Sequence, residues 1–115
     1  MADKLIVSEL GRQVLGAAIE VHRELGPGLL ESACEHCLAH ELTLRNIACR
    51  RQVLLPVSYK GTVIDCGYRI DLLVAEQLIL EIKSIGQLTP VHEAQMLTYL
   101  RLAKLHHGFL INFNS

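Results

Sequence analysis

The chain has 115 residues, half of them hydrophobic and a fifth charged. That suits one folded domain over residues 1–115 and excludes an intrinsically disordered segment. The net charge of −1, from 11 basic and 12 acidic residues, argues against a protein that coats nucleic acid nonspecifically, since such affinity rests on many phosphate contacts.

No apolar run approaches the roughly 18 residues of a membrane span, and Met1-Ala2-Asp3-Lys4 has no basic-then-apolar leader pattern. A cytoplasmic location is therefore expected, with Cys34, Cys37, Cys49 and Cys66 reduced. Trp is absent and Phe and Tyr together number five, so the core is aliphatic. A mean hydropathy of +0.30 in so short a chain suggests an apolar surface covered by a partner, with a homodimer as the first candidate.

Leu10, Val14, Ala17, Ala18, Val21 and Leu25 recur at helical spacing, predicting an amphipathic helix over 8–25 that ends at Gly26-Pro27-Gly28. A second helix fits 30–46, with Leu30, Ala33, Cys37, Leu38, Glu41 and Leu44 along its surface. Alternation then takes over. Val53, Leu55, Val57 and Tyr59 predict a strand over 49–59, where Pro56 requires an edge position or a bulge. Lys60-Gly61 is a hairpin turn. The return strand spans 62–74, with Asp65, Gly67, Arg69 and Asp71 on one face, and a third strand covers 78–83. Thr89 as N-cap and Pro90 at the first helical position start a helix that runs to Lys104. Residues 108–113 form a last apolar strand. A strand, a helix and a strand imply a right-handed crossover and a parallel pair. The order ααβββαβ is that of an α/β fold with a central mixed four-stranded sheet flanked by helices.

The chemistry concentrates at Asp71 and at Glu81-Ile82-Lys83. Two carboxylates offer hard oxygen ligands to Mg²⁺ or Mn²⁺. A Lys beside them can orient a water or offset charge on a phosphorane. Period two puts Ile79, Glu81 and Lys83 on one strand face and Leu78, Leu80 and Ile82 on the other. If strands two and three form a hairpin, Asp71 lies opposite Glu81. The plainer reading is a surface ion pair. Against it, both segments are strongly apolar, and a charge in such a strand is costly unless it is paired or bound to metal.

His92, Gln95 and Tyr99 fall along one helix face. They suit contact with a phosphate or a metal-bound water, or else form a solvated surface. Glu31, one turn into the second helix, is either a further acidic ligand or an acid favoured by the helix dipole. Cys34-x-x-Cys37 with His36 and His40 lacks the second ligand pair of a structural zinc site, so the thiols read better as small apolar side chains. No Gly-rich phosphate loop, nucleophile elbow or Cys/His catalytic arrangement is visible.

The chain resembles the GxxExxY proteins, small prokaryotic members of the PD-(D/E)xK nuclease-like superfamily. The resemblance runs from about Leu15 to Asn114. It rests on Ala-Ile-Glu-Val-His-Arg-Glu-Leu-Gly-Pro-Gly-Leu-Leu-Glu at 18–31, Asp-Cys-Gly-Tyr-Arg-Ile-Asp at 65–71, Glu-Ile-Lys at 81–83, Pro-Val-His-Glu-Ala-Gln at 90–95 and Leu-Ile-Asn-Phe-Asn at 110–114. Gly28 and Glu31 match the motif of the name, and Cys34 replaces its Tyr. The resemblance implies a restriction-endonuclease-like core in which Asp71, Glu81 and the Ile82 carbonyl are metal ligands and Lys83 is catalytic. Glu31 would correspond to the acid of the first core helix. Gln95 and Tyr99 resemble the Gln-x-x-x-Tyr motif of the RecB-like branch.

The reading that follows is a Mg²⁺- or Mn²⁺-dependent nuclease, with DNA placed ahead of RNA as substrate and no membrane partner. The rivals are a catalytically silent nuclease-fold module that binds nucleic acid or a protein, and a hydrolase of smaller phosphate esters.

Overall fold

The computed structural model describes the backbone of residues 2–114 and the side chains of residues 9–114. Met1, on which part of the leader reading rests, lies outside them. The elements in order are α1 (Ala2–Leu25), α2 (Glu31–Leu44), β1 (Cys49–Leu54), β2 (Val57–Tyr59), β3 (Thr62–Ile64), β4 (Arg69–Val74), β5 (Leu78–Lys83), α3 (Pro90–Ala103) and β6 (His107–Asn112).

Four strands form one sheet in the order β1-β4-β5-β6. β1 and β4 are antiparallel, as are β4 and β5, while β5 and β6 run parallel. This is the mixed four-stranded sheet expected from the alternating apolar pattern and the strand–helix–strand order. α1 and α2 cover one face. Val14, Ala17, Ala18 and Val21 of α1 and Cys34, Leu38 and Leu42 of α2 pack with Leu72, Val74, Leu78, Leu80 and Ile82 of the sheet. α3 covers the other face, where Met96 and Tyr99 meet Leu55, Ile70, Leu73 and Ile79.

Several elements depart from their expected form. α1 begins at Ala2 rather than at residue 8. The single strand expected over 49–59 breaks at Leu55-Pro56, where Pro56 cannot donate to a ladder. The return strand breaks over 65–68, because Asp65 accepts the Gly67 N–H at 2.8 Å and turns the chain, with Gly67 at φ +81°. The outer pieces, β2 and β3, form their own two-stranded hairpin. Its turn is Lys60-Gly61, both at positive φ, closing Tyr59 against Thr62.

The buried stripe of α2 is Cys34, Glu35, Leu38 and Leu42. Leu30 and Leu44, which their spacing places along the helix surface with Leu38, are exposed. Helix α3 starts as predicted: the Thr89 side chain caps the helix, and His92 Nδ1 accepts the Thr89 N–H at 2.9 Å.

Candidate active site

Strand β5 reads Leu-Ile-Leu-Glu-Ile-Lys and alternates as a two-sided strand must. Leu78, Leu80 and Ile82 join the α1/α2 core, and Ile79 joins the α3 core. Glu81 follows Ile79 on the α3 side and is 6% exposed. The β4–β5 ladder pairs Val74 with Leu78, Leu73 with Ile79 and Leu72 with Leu80. One step further, in the same register, Asp71 stands opposite Glu81. There the side chains take over from the ladder. The Asp71 N–H donates to Glu81 Oε1 at 3.3 Å, and the Ile82 N–H donates to Asp71 Oδ2 at 2.8 Å.

The same row continues onto β1. Arg51 pairs with Leu72 and Val53 with Ile70, which sets Gln52 beside Asp71. Gln52 holds a left-handed backbone, φ +52°, in mid-strand. For a non-glycine residue this conformation costs on the order of 1–3 kcal/mol. Its amide Nε2 donates to Asp71 Oδ1 at 3.3 Å and to Glu35 Oε1 at 2.7 Å. Glu35, buried on α2, also accepts from Arg51 at 2.7 Å, and Arg51 lies 3.0 Å from His36 Nε2. Asp71 is thus held at both oxygens, one by the β5 backbone and one by a side chain that is itself anchored to α2.

Burial, and after it the Asp71 charge, push the Glu81 carboxyl up to about 8; Lys83 opposes this with a smaller effect. Burial, and then the Glu81 charge, also raise the Tyr99 hydroxyl above its ordinary value. Tyr99 accepts from Gln95 Nε2 at 3.0 Å and stacks at a tilt on Tyr68, with centroids 5.7 Å apart. Gln95 and Tyr99 therefore act as a bonded pair on α3, with Tyr99 facing the acids.

The donor set suits a divalent cation. Two carboxyl groups crowd together, and burial and the Asp71 charge favour a proton on the buried one. Hard oxygen ligands in a desolvated place match a hard divalent cation, whose charge would release that proton.

The structure draws Asp71, Glu81, Gln95 and Tyr99 together and sets half-buried Lys83 two residues past Glu81. Two predicted residues lie elsewhere. Glu31 accepts the Ser84 N–H at 3.3 Å, one residue beyond Lys83, while the Ser84 hydroxyl donates to the Leu29 carbonyl at 2.7 Å. Glu31 therefore ties α2 to the end of β5. His92 serves the cap of α3. Among the described residues, no group of three or more His, Cys, Asp or Glu is arranged to hold a metal. Glu35, Arg51 and Gln52 escaped sequence reasoning. Glu35 alone had a signal, standing next to Cys34 and three residues before Leu38 on a helix that must bury one stripe.

All four cysteines are free of disulfides, from buried Cys34 to exposed Cys66. Among the described residues, no helix is long and apolar enough to cross a membrane.

A model of the PD-(D/E)XK nuclease superfamily matches residues 8–115; nucleases of this superfamily generally use divalent metals. No curated protein and no solved structure matches the chain. The match spans all three helices' main bodies and the whole sheet, and so takes in the acid pair and its Lys: the chain belongs to the PD-(D/E)XK nuclease superfamily.

Proposed function

We propose that the chain hydrolyses phosphodiester bonds of DNA with Mg²⁺ or Mn²⁺ bound at Asp71 and Glu81. The observation that carries this is the buried Glu81 carboxyl, bonded to the Asp71 N–H and pushed above the usual carboxylate range, on the sheet face that Lys83 shares. A charge so placed is unfavourable for folding unless something is bound there. The bound ion would polarise a phosphoryl oxygen and lower the pKa of a water.

The chain's own residues do the rest. Asp71 and Glu81 would hold the ion, and the Ile82 carbonyl would supply a further oxygen, as the superfamily resemblance implies. Gln52 and the Ile82 N–H fix the Asp71 carboxylate in one orientation and so limit reorganisation on binding. The Lys83 ammonium attracts the phosphate and stabilises negative charge as it grows on the phosphorane oxygens. Gln95 and Tyr99, bonded to one another, position the phosphate from α3. Glu31 steadies the end of β5, and His92 holds the start of α3. Within the superfamily, Gly28 and Glu31 favour the GxxExxY group.

The test is cleavage of duplex DNA, single-stranded DNA and RNA with Mg²⁺, Mn²⁺ or chelator. Metal-dependent cleavage by the wild type should be lost in Glu81→Ala and Lys83→Ala, both still folded by circular dichroism. Full activity in both variants would sink the reading. Absence of cleavage by the wild type on every substrate would turn it towards a silent binding module.

A further inference from the structure

Strand β6 closes the sheet and is paired on one side only, parallel to β5 from Leu78 with His107 to Lys83 with Asn112. An edge of this kind is usually blunted by Lys, Pro, a bulge or a covering element. His107-Gly108-Phe109-Leu110-Ile111-Asn112 contains neither Lys nor Pro. Beside the edge lies a groove of about 1000 Å³. Its α1 wall presents Leu15 and Ile19, and its α3 wall Leu97 and Leu100. Leu15, Ile19 and Leu97 are 43%, 58% and 64% exposed. Aliphatic side chains on both flanks of an open strand edge are what a partner sheet buries.

The charges choose the partner. Along the outer face of α3, Glu93, Leu97 and Arg101 follow at four-residue steps, an acid and a base equidistant from a central leucine. Among the described residues, neither Glu93 nor Arg101 forms an ion pair within the chain. A second α3 laid antiparallel about Leu97 sets each Glu93 against the Arg101 of the other copy. The strand has the same centre. Met96, next to Leu97, sits so close over β6 that a Cβ on Gly108 would come 2.6 Å from its sulfur. Gly108 is also the midpoint of the run His106–Leu110 that floors the groove.

One axis normal to the sheet, just outside β6 and level with Gly108 and Leu97, can therefore relate both the strands and the helices. Strands pair about 4.8 Å apart. α3 packs over β6 and reaches back across Ile79 to Ile70, so joining two β6 edges brings the two α3 helices alongside one another, where exposed Leu97 can pack. Such an interface is self-complementary and closes after two copies.

We propose that the β6 edge and its groove bind a second copy of this chain, antiparallel about a two-fold axis level with Gly108 and Leu97, to give one continuous eight-stranded sheet. None of the groove's residues belongs to the candidate active site, so the proposal stands apart from the nuclease reading.

The test is the mass of the full chain by light scattering after size exclusion, at high micromolar concentration. The wild type should run at twice 12.8 kDa and Leu97→Glu at 12.8 kDa, with an unchanged circular dichroism spectrum because Leu97 is exposed. Glu93→Arg and Arg101→Glu should each weaken the dimer roughly tenfold, and the double variant should recover it. A monomeric wild type, or a dimer unaffected by Leu97→Glu, overturns the proposal. So does a double variant no better than either single one, since the antiparallel seat on α3 would then be wrong.

Discussion

The two faces of the central sheet are built from the same strands to different ends. On the α1/α2 face, Leu72, Val74, Leu78, Leu80 and Ile82 meet a continuous aliphatic layer, each at most 1% exposed. On the α3 face the layer is smaller, and at the Asp71–Glu81 row it gives way to carboxyl groups. Period two in β5 lets one six-residue strand serve both. The contrast teaches that the fold draws its stability from one side of the sheet and keeps an unfavourable arrangement on the other. An acid pair with Glu81 buried and a mid-strand Gln52 with left-handed backbone are tolerated because the opposite face holds the strands in place.

Replacement on the packed face should have the largest effect. Leu80→Ala should lower stability by about 2–5 kcal/mol, through lost burial and the cavity left behind, measured by urea unfolding. The same Ala placed at Lys83 should change stability far less.

The second effect concerns pH and has the opposite sign on the acid face. Glu81 has an ordinary pKa of 4.5 and a folded value of about 8. Below about 4.5 the carboxyl is protonated in both states and contributes nothing to the pH slope. Between these values the unfolded chain has lost a proton that the folded chain keeps, so stability falls as pH rises, and the loss is complete above about 8. Thermal melts in chelator from pH 5 to 9 should show that decline. Glu81→Gln should flatten it and melt higher than the wild type above pH 8. An undiminished decline in the variant would remove Glu81 as its source.

A smaller effect is expected at Gln52. Gln52→Ala removes the donor shared by Glu35 and Asp71 and should cost about 1–3 kcal/mol, chiefly from leaving buried Glu35 short of a partner. Gln52→Gly, which suits φ +52°, should partly offset that loss. The smallest effect belongs to Arg50 and Glu76, which pair at 2.7 and 2.9 Å on the open surface. Arg50→Ala should leave the melting temperature unchanged within error, since exposed pairs contribute little.

The sequence made the sheet and its acid pair legible because both depend on local rules. The alternation of β5, the Lys60-Gly61 turn, the Thr89-Pro90 start and the α1 stripe each follow from backbone geometry within a few residues. The breaks at Pro56 and at Asp65–Tyr68 were harder. Each lies within a run whose apolar alternation continues past it, and an Asp–Gly turn competes with strand only once the sheet no longer pairs there. The buried stripe of α2 was not legible because its polar and apolar residues are mixed around the axis, so packing partners rather than periodicity decide what is covered. Glu35, Arg51 and Gln52 come to the acid pair through contacts 15 to 19 residues apart. Nothing in the β1 sequence announces a left-handed Gln.

The most direct measurement is calorimetric titration of Mn²⁺ at pH 7 into the wild type and Asp71→Ala, repeated in buffers of different ionisation enthalpy. The account predicts one site in the wild type that releases close to one proton as Glu81 ionises, and no binding in the variant. Equal binding in both proteins, or binding without proton release, would contradict the assignment of the metal to the Asp71–Glu81 pair.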